Sequence, residues 1–272
     1  MGKHKGFTFV EIALFLVVTA LIFIGVAGGM QTTIFQQKYN DSVQNFLEFL
    51  RDIYSEVSNT QSTGSGNSDQ AIYGKMVVFG ENTDLLGNTI SNTDDKNSVF
   101  VYDVVGDANV SSVTSSTVRA MLKALNANVV IFDEDNEPML ASPEKYLPRW
   151  GARIEAPDGK KLEKTILVVR HPNSGTTNTL VYGFPIQVNQ IFYENKESCE
   201  KNDPKKCGDI PTILGKDLEH FAVAELDFCI NSDELGRNLF SSPQDIRIEP
   251  NARNASSVLK IDMDSSDNRC KK

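Results

Sequence analysis

The sequence predicts an α+β protein in which one long N-terminal helix packs on an antiparallel, β-rich globular head. Three observations predict it: an uncharged apolar run near the N-terminus, an amphipathic helical pattern directly after it, and β-branched, period-two segments beyond. With 272 residues, the chain has room for an anchor and a sizeable core. Its formal net charge of −9 argues against a general affinity for nucleic acid or anionic lipid.

The apolar run extends from Ile12 to Met30 and contains no charged residue. As a helix it is roughly 28 Å long, close to the ~30 Å of a bilayer's hydrocarbon core. Lys3 and Lys5 precede the run, and the next lysine is Lys38. The sequence therefore predicts a single-pass segment in the cytoplasmic membrane, with the N-terminus in the cytoplasm.

Glu11 is unusual because it stands directly before this run. A carboxylate packed among apolar helices is costly, by about 2.5–3.5 kcal/mol at the centre of a bilayer. The apolar run offers no cation as a partner. If the chain were cut before Phe7, the new α-amine could pair with the carboxylate of a neighbouring chain.

The segment from Lys5 to Glu11, KGFTFVE, followed by an apolar run, resembles the class III signal of type IV pilins and type II secretion pseudopilins. The resemblance implies that residues 1–6 are a leader, which prepilin peptidase removes by cutting between Gly6 and Phe7. It further implies N-methylation of Phe7 and a role for Glu11 in registering subunits in the fibre. An ordinary secretory signal peptide and a simple signal anchor are the alternatives, but no small-residue cleavage site closes the run.

The resemblance implies a pilin-like fold and a structural role, as a minor pilin or an H-type-like pseudopilin of a type IV pilus-like filament. Its partners would be other pilins or pseudopilins through the N-terminal helix, prepilin peptidase and the inner-membrane assembly machinery. After processing, the protein would reside in an extracytoplasmic filament or at the cell surface. The alternatives left open are a DNA-binding minor pilin and a type II secretion pseudopilin.

The helical pattern continues through residues 31–60, so that one helix is predicted over 7–60. Its apolar stripe predicts docking on a sheet: Phe35, Tyr39, Phe46, Leu50, Ile53 and Val57. Residues 61–71 are rich in Gly, Ser and Asn, which predicts a flexible connection to a head at 72–272.

Within the head, β-branched and alternating segments predict strands, and a capped segment predicts one short helix from Ser116 to Leu125. The predicted strands are Ile72–Phe79, Ser98–Val105, Val129–Phe132, Thr165–Arg170, Leu180–Phe184, Ile186–Phe192, Phe221–Ile230, Asp245–Ile248 and Val258–Met263.

The four cysteines, Cys199, Cys207, Cys229 and Cys270, all lie in the predicted exported head. An even number in an oxidising compartment indicates disulfides. A local Cys199–Cys207 bridge and a Cys229–Cys270 bridge that pins the C-terminus are sensible, but four cysteines allow three pairings.

The sequence predicts no enzyme activity, cofactor or metal site, because no nucleophile, phosphate-loop or zinc motif is present. The acidic clusters at 133–137 and 262–267 are interpreted as solvated turns rather than calcium sites.

A strip of basic residues between Lys145 and Arg170 is the one hint of DNA contact. Its members are Lys145, Arg149, Arg153, Lys160, Lys161, Lys164 and Arg170, and acidic residues alternate with them. A solvated surface is the favoured interpretation.

Overall fold

The computed structural model describes residues 8–59, 70–91, 97–108, 117–132, 137–196, 214, 218–232, 243–262 and 264–270. These residues form a long N-terminal helix and a head of antiparallel sheets, as the α+β prediction requires.

Helix α1 runs without interruption from Phe9 to Asn59. Its 51 residues make it about 75 Å long. The N-terminal half projects from the head and the C-terminal half is packed. Buried side chains on the packed half recur at helical spacing: Tyr39, Val43, Phe46, Leu47, Leu50, Ile53, Tyr54 and Val57.

A five-stranded antiparallel sheet forms the centre of the head, with the order β5-β2-β1-β7-β8. Its strands are β1 (Gln70–Phe79), β2 (Val99–Asp107), β5 (Glu144–Tyr146), β7 (Lys164–Arg170) and β8 (Thr177–Tyr182). A four-stranded sheet has the order β11-β10-β9-β6. It comprises β6 (Arg153–Glu155), β9 (Leu226–Asn231), β10 (Gln244–Ile248) and β11 (Val258–Ile261).

The core that joins α1 to both sheets is aromatic. The ring of Phe46 lies 6.4 Å from that of Phe79 in β1 and 5.4 Å from that of Phe228 in β9, both edge-on. Period-two alternation places Val77, Phe79 and their neighbours on this face of the five-stranded sheet. A buried Phe at such a junction is worth about 3–5 kcal/mol against Ala, so α1 is an integral layer of the head.

The opposite face of the five-stranded sheet is covered by α2 (Val118–Ala124), α3 (Val188–Lys196) and the β3–β4 hairpin. Strands β3 (Val130–Phe132) and β4 (Pro138–Leu140) form that hairpin. Both faces are therefore buried, which explains why β1 and β2 are apolar almost throughout.

Most predicted elements are confirmed within one to three residues, among them α1, α2, β1, β2, β3, β7, β8, β10 and β11. The strand predicted at Ile186–Phe192 is wrong, since the chain forms α3 there. The strand predicted at Phe221–Ile230 is too long, because β9 begins only at Leu226. The short strands β4, β5 and β6 were not predicted.

Candidate functional site

The exposed half of α1 is the most unusual surface of the described structure. We call Phe9–Gln37 the apolar arm. Every large apolar side chain from Phe9 to Phe35 exposes between 47 and 85 % of its surface. The apolar residues occupy all sides of the helix, so no face is suited to water. By length and composition, α1 is able to cross a membrane.

The N-terminus of the apolar arm is closed by a hydrogen-bonded cap between Thr8 and Glu11. The Thr8 backbone N–H and hydroxyl both donate to Glu11 Oε2, at 2.8 and 3.0 Å. In return, the Glu11 backbone N–H donates to Thr8 Oγ1 at 3.3 Å. This reciprocal arrangement is a capping box, which satisfies donors that the first helical turn leaves unpaired.

The cap gives Glu11 a partner within its own chain. Sequence reasoning looked for a cation and missed it, although Thr-x-x-Glu before an apolar run is a recognised signal for such a box. Both hydrogen bonds end on Oε2, and Oε1 makes none among the described residues. Gly6 and Phe7, the predicted cleavage site, lie outside the described residues.

Three glycines, Gly25, Gly28 and Gly29, lie in the middle of the apolar arm, and the helix continues through them. A Cβ atom added at any of the three would meet nothing within 4 Å. They therefore serve no packing need inside one chain. Small residues at such positions allow two helices in an apolar medium to approach closely.

The head fixes the direction of the apolar arm through buried hydrogen bonds to the packed half of α1. The Tyr39 hydroxyl donates to the Ile230 carbonyl at 2.7 Å and accepts from the Gln244 N–H at 2.8 Å. Because the Thr179 hydroxyl donates to a backbone carbonyl, the Tyr54 hydroxyl donates to Thr179, at 2.7 Å. The two tyrosines are about four helical turns apart, so the packed half is held near both ends.

An ion cluster around the buried Lys75 of β1 adds to this attachment. Lys75 Nζ lies 2.9 Å from Glu56 of α1, 3.3 Å from Asp103 of β2 and 3.8 Å from Glu144 of β5. Burial disfavours the Lys75 charge, but the hydrogen bond to Glu56 and the charges of Asp103 and Glu144 outweigh it and raise the pKa of Lys75. The lysine is therefore charged and holds a helix and two strands together.

Next to Ile230, which binds Tyr39, Cys229 of β9 forms a disulfide with Cys270, with Cα atoms 5.4 Å apart. This is the pairing that would pin the C-terminus. Cys199 and Cys207 lie outside the described residues.

Two arginines beside that disulfide pair with three carboxylates, a network that the sequence did not reveal. Arg247 Nε lies 2.6 Å from Asp227, and Arg269 contacts Asp227 at 2.8 Å and Glu225 at 2.6 Å. The Arg269 backbone N–H donates to Asp245 at 3.0 Å. Residues near the C-terminus are thus held by ion pairs as well as by the covalent bond.

The basic residues of the proposed DNA strip are distributed over several elements. Lys164 and Arg170 begin and end β7, about 20 Å apart. Arg153 lies in β6 of the other sheet, and Lys160 pairs with Asp158 at 3.2 Å. Lys145 lies in β5, Arg149 in the turn that follows, and Lys161 after β6. Closeness in sequence does not bring them to one element of the fold.

A buried carboxylate, Glu81, closes the N-terminus of α3. Its Oε1 accepts from the Asn189 N–H at 2.7 Å and its Oε2 accepts from the Tyr102 hydroxyl at 3.1 Å. Burial outweighs these hydrogen bonds and raises the pKa of Glu81 to about 8. This contact joins residues 108 apart in sequence and caps α3, which begins at Val188.

Within the described residues, no group of His, Cys, Asp and Glu side chains is arranged to hold a metal ion. His171 accepts a backbone hydrogen bond in a turn, and His220 stacks on Tyr182. Both histidines therefore make contacts within the head.

Comparison with protein-family models, with curated proteins and with solved structures finds no match.

Proposed function

We propose that the chain is a membrane-anchored structural subunit of a type IV pilus-like filament, a minor pilin or a pseudopilin. The observation that carries the proposal is the apolar arm: a helix, rigidly continuous with the head, that exposes apolar side chains on every side. Such a surface needs an apolar medium, which either lipid or a bundle of identical helices can provide.

In the first stage, the apolar arm spans the cytoplasmic membrane, with Lys3 and Lys5 on the cytoplasmic side. Glu11 then lies at the cytoplasmic interface, where its capping box with Thr8 keeps the end of the helix formed. The head folds on the opposite side, where an oxidising compartment would favour the Cys229–Cys270 bond.

In the second stage, cleavage after Gly6 leaves an α-amine on Phe7, one residue before the cap. A neighbouring subunit's Glu11 could pair with that amine as the arms leave lipid and pack on one another. A carboxylate has about four acceptor positions, so the Oε2 bonds to Thr8 do not prevent Oε1 from accepting from a second chain. Cap and subunit pairing are therefore compatible.

The proposed processing is tested with Gly6→Leu. The variant should accumulate in the membrane as a precursor with lower gel mobility than the wild-type protein. Unchanged mobility would contradict the cleavage site. Gly25→Leu, a substitution of the same type where the structure has open space, serves as the control and should be processed normally.

The role of the Glu11 charge is separated from that of the cap by two variants. In Glu11→Gln the charge is lost, but glutamine also closes a capping box. In Thr8→Ala the charge is kept and the cap is lost, at a cost of about 0.5–2 kcal/mol. We expect Glu11→Gln to be processed but excluded from filaments purified by shearing, and Thr8→Ala to be incorporated. Normal incorporation of Glu11→Gln would refute the charge pairing.

A further inference from the structure

The apolar arm and the head meet without a linker. Lys38 is the first charged residue after Glu11, and Tyr39, the next residue, is already buried in the head. Whatever surrounds the end of the arm therefore also touches the nearest surface of the head.

The uncharged part of the arm has the length of a whole bilayer. From Glu11 to Lys38 the helix rises about 40 Å. A bilayer including its headgroups is about 40–45 Å thick. With Glu11 at one interface, Lys38 lies at the other, and the head must rest on the headgroups there.

An exposed aromatic residue occupies this part of the head. Residues 147–151, which we call the Trp150 turn, follow β5. Trp150 exposes 58 % of its surface, and Leu147 exposes 47 %. Lys38 Nζ lies 4.9 Å from the centre of the Trp150 ring, within cation–π distance.

Trp150 is held in this position by an energetically unfavourable backbone conformation. Its φ of 58° and ψ of 30° are in the left-handed region, which a tryptophan adopts rarely. The Ser42 hydroxyl of α1 donates to the Arg149 carbonyl at 2.6 Å, which ties the turn to the helix. A strained, exposed residue that its surroundings fix in place is a candidate for function.

The turn is at the membrane-proximal end of the head. Helical side chains lean towards the N-terminus of their helix. We therefore expect Lys38 Nζ, and with it the Trp150 ring, to lie closer to the apolar arm than the Lys38 Cα atom does. Ser42, which holds Arg149, is one turn further from the arm. Asp41, the nearest acidic residue of α1, also lies on that more distant turn.

We propose that the Trp150 turn binds the lipid headgroup layer of the extracytoplasmic leaflet and fixes the tilt of the head before assembly. Trp150 and Leu147 enter the interface, where tryptophan is favoured because its ring is amphipathic. Lys38 and Arg149 stand beside them and can contact lipid phosphates. The inference rests on the proposed membrane anchoring, and it does not require that the chain forms filaments.

Tryptophan fluorescence tests the proposal directly, because Trp150 is the only tryptophan of the chain. The full-length protein is reconstituted in phosphatidylcholine vesicles, whose zwitterionic lipid does not repel an acidic head. Parallel samples contain lipid brominated either near the headgroups or deep in the acyl chains. We expect stronger quenching by the shallow bromines than by the deep ones, and protection of Trp150 from aqueous iodide.

The matched control moves the tryptophan to the end of the head that lies away from the apolar arm. Trp150→Phe combined with Asn173→Trp places it in the exposed turn between β7 and β8. This turn follows Val168, whose strand partner Lys75 binds Glu56 near the C-terminal end of α1. We expect this variant to be quenched by iodide and not by brominated lipid.

The outcomes separate the two proposals. Failure of the protein to float with vesicles would refute the membrane anchoring. If the protein floats and both brominated lipids quench Trp150 equally and weakly, the lipid contact of the Trp150 turn is refuted and the membrane anchoring stands. If Trp150 emission instead follows the protein-to-lipid ratio, without quenching by brominated lipid, the turn contacts a second copy of the chain and the lipid proposal is overturned.

Discussion

Replacing both Cys229 and Cys270 by serine should lower the free energy of unfolding of the head by about 4 kcal/mol. The disulfide joins residues 41 apart in sequence, β9 to the C-terminal residues. Both positions are changed together, because a single substitution would leave a free thiol able to mispair with Cys199 or Cys207.

The magnitude follows from the entropy of the unfolded chain. Closing a loop of that length removes roughly 13 cal/mol/K, or about 4 kcal/mol at 25 °C. For a head of this size, each kcal/mol corresponds to about 2–4 °C in Tm, so the midpoint should fall by about 8–16 °C. Ion pairs of Arg269 with Asp227 and Glu225 are retained in the variant, which keeps the folded state comparable.

The assay is unfolding in guanidinium of a fragment that begins at Lys38. The fluorescence emission of Trp150 monitors the transition. The wild-type fragment and the double variant are compared in oxidising and in reducing buffer. In reductant the difference between them should vanish, since both then lack the Cys229–Cys270 bond. Any contribution of Cys199 and Cys207 is common to both proteins and cancels.

A difference below about 1 kcal/mol in oxidising buffer would refute the argument, because the loop entropy would then be absent or offset by strain. A difference that persists in reductant would also contradict it. The stabilisation would then come from the packing of the cysteine side chains.

Three further predictions concern the attachment of α1 to the head and the cap of α3. Lys75→Met should destabilise the head by about 3–5 kcal/mol in denaturant unfolding, because Asp103 is left buried without its cation; a loss below 1 kcal/mol would contradict this. Tyr54→Phe should cost about 1 kcal/mol, whereas Tyr146→Phe should be neutral, since the Tyr146 hydroxyl is buried without a partner among the described residues; equal effects would refute the assignment. Burial raises the pKa of Glu81 from 4.5 to about 8, so folding favours its protonated form. The contribution of Glu81 to the free energy of unfolding should therefore be complete below pH 4.5 and should decrease as the pH rises to about 8. Glu81→Gln should abolish this pH dependence.

The elements that the sequence predicted well are those whose pattern is long and local. Helix α1 is recognisable from the apolar run and the stripe that begins at Tyr39, and β1 and β2 from continuous β-branched residues. The Thr8–Glu11 cap is also a local motif, although the charge of Glu11 favoured the prediction of an ion pair over that of a cap.

The elements that were mispredicted depend on distant partners. Val188 and Ile191 suit a strand, yet the chain is helical from Val188 because Glu81, more than a hundred residues earlier, accepts the first N–H groups of α3. Short strands such as β5 and β6 exist through pairing with β2 and β9. The left-handed turn at Trp150 likewise depends on its contacts with α1.

The central claim is that the apolar arm becomes an assembly surface once the leader is removed. The most direct measurement is the N-terminal mass of the protein isolated from the membrane and from any sheared filament of the cells that produce it. We expect Phe7 as the first residue, carrying one methyl group on its amine. A population that still begins at Met1 in both fractions would contradict the account.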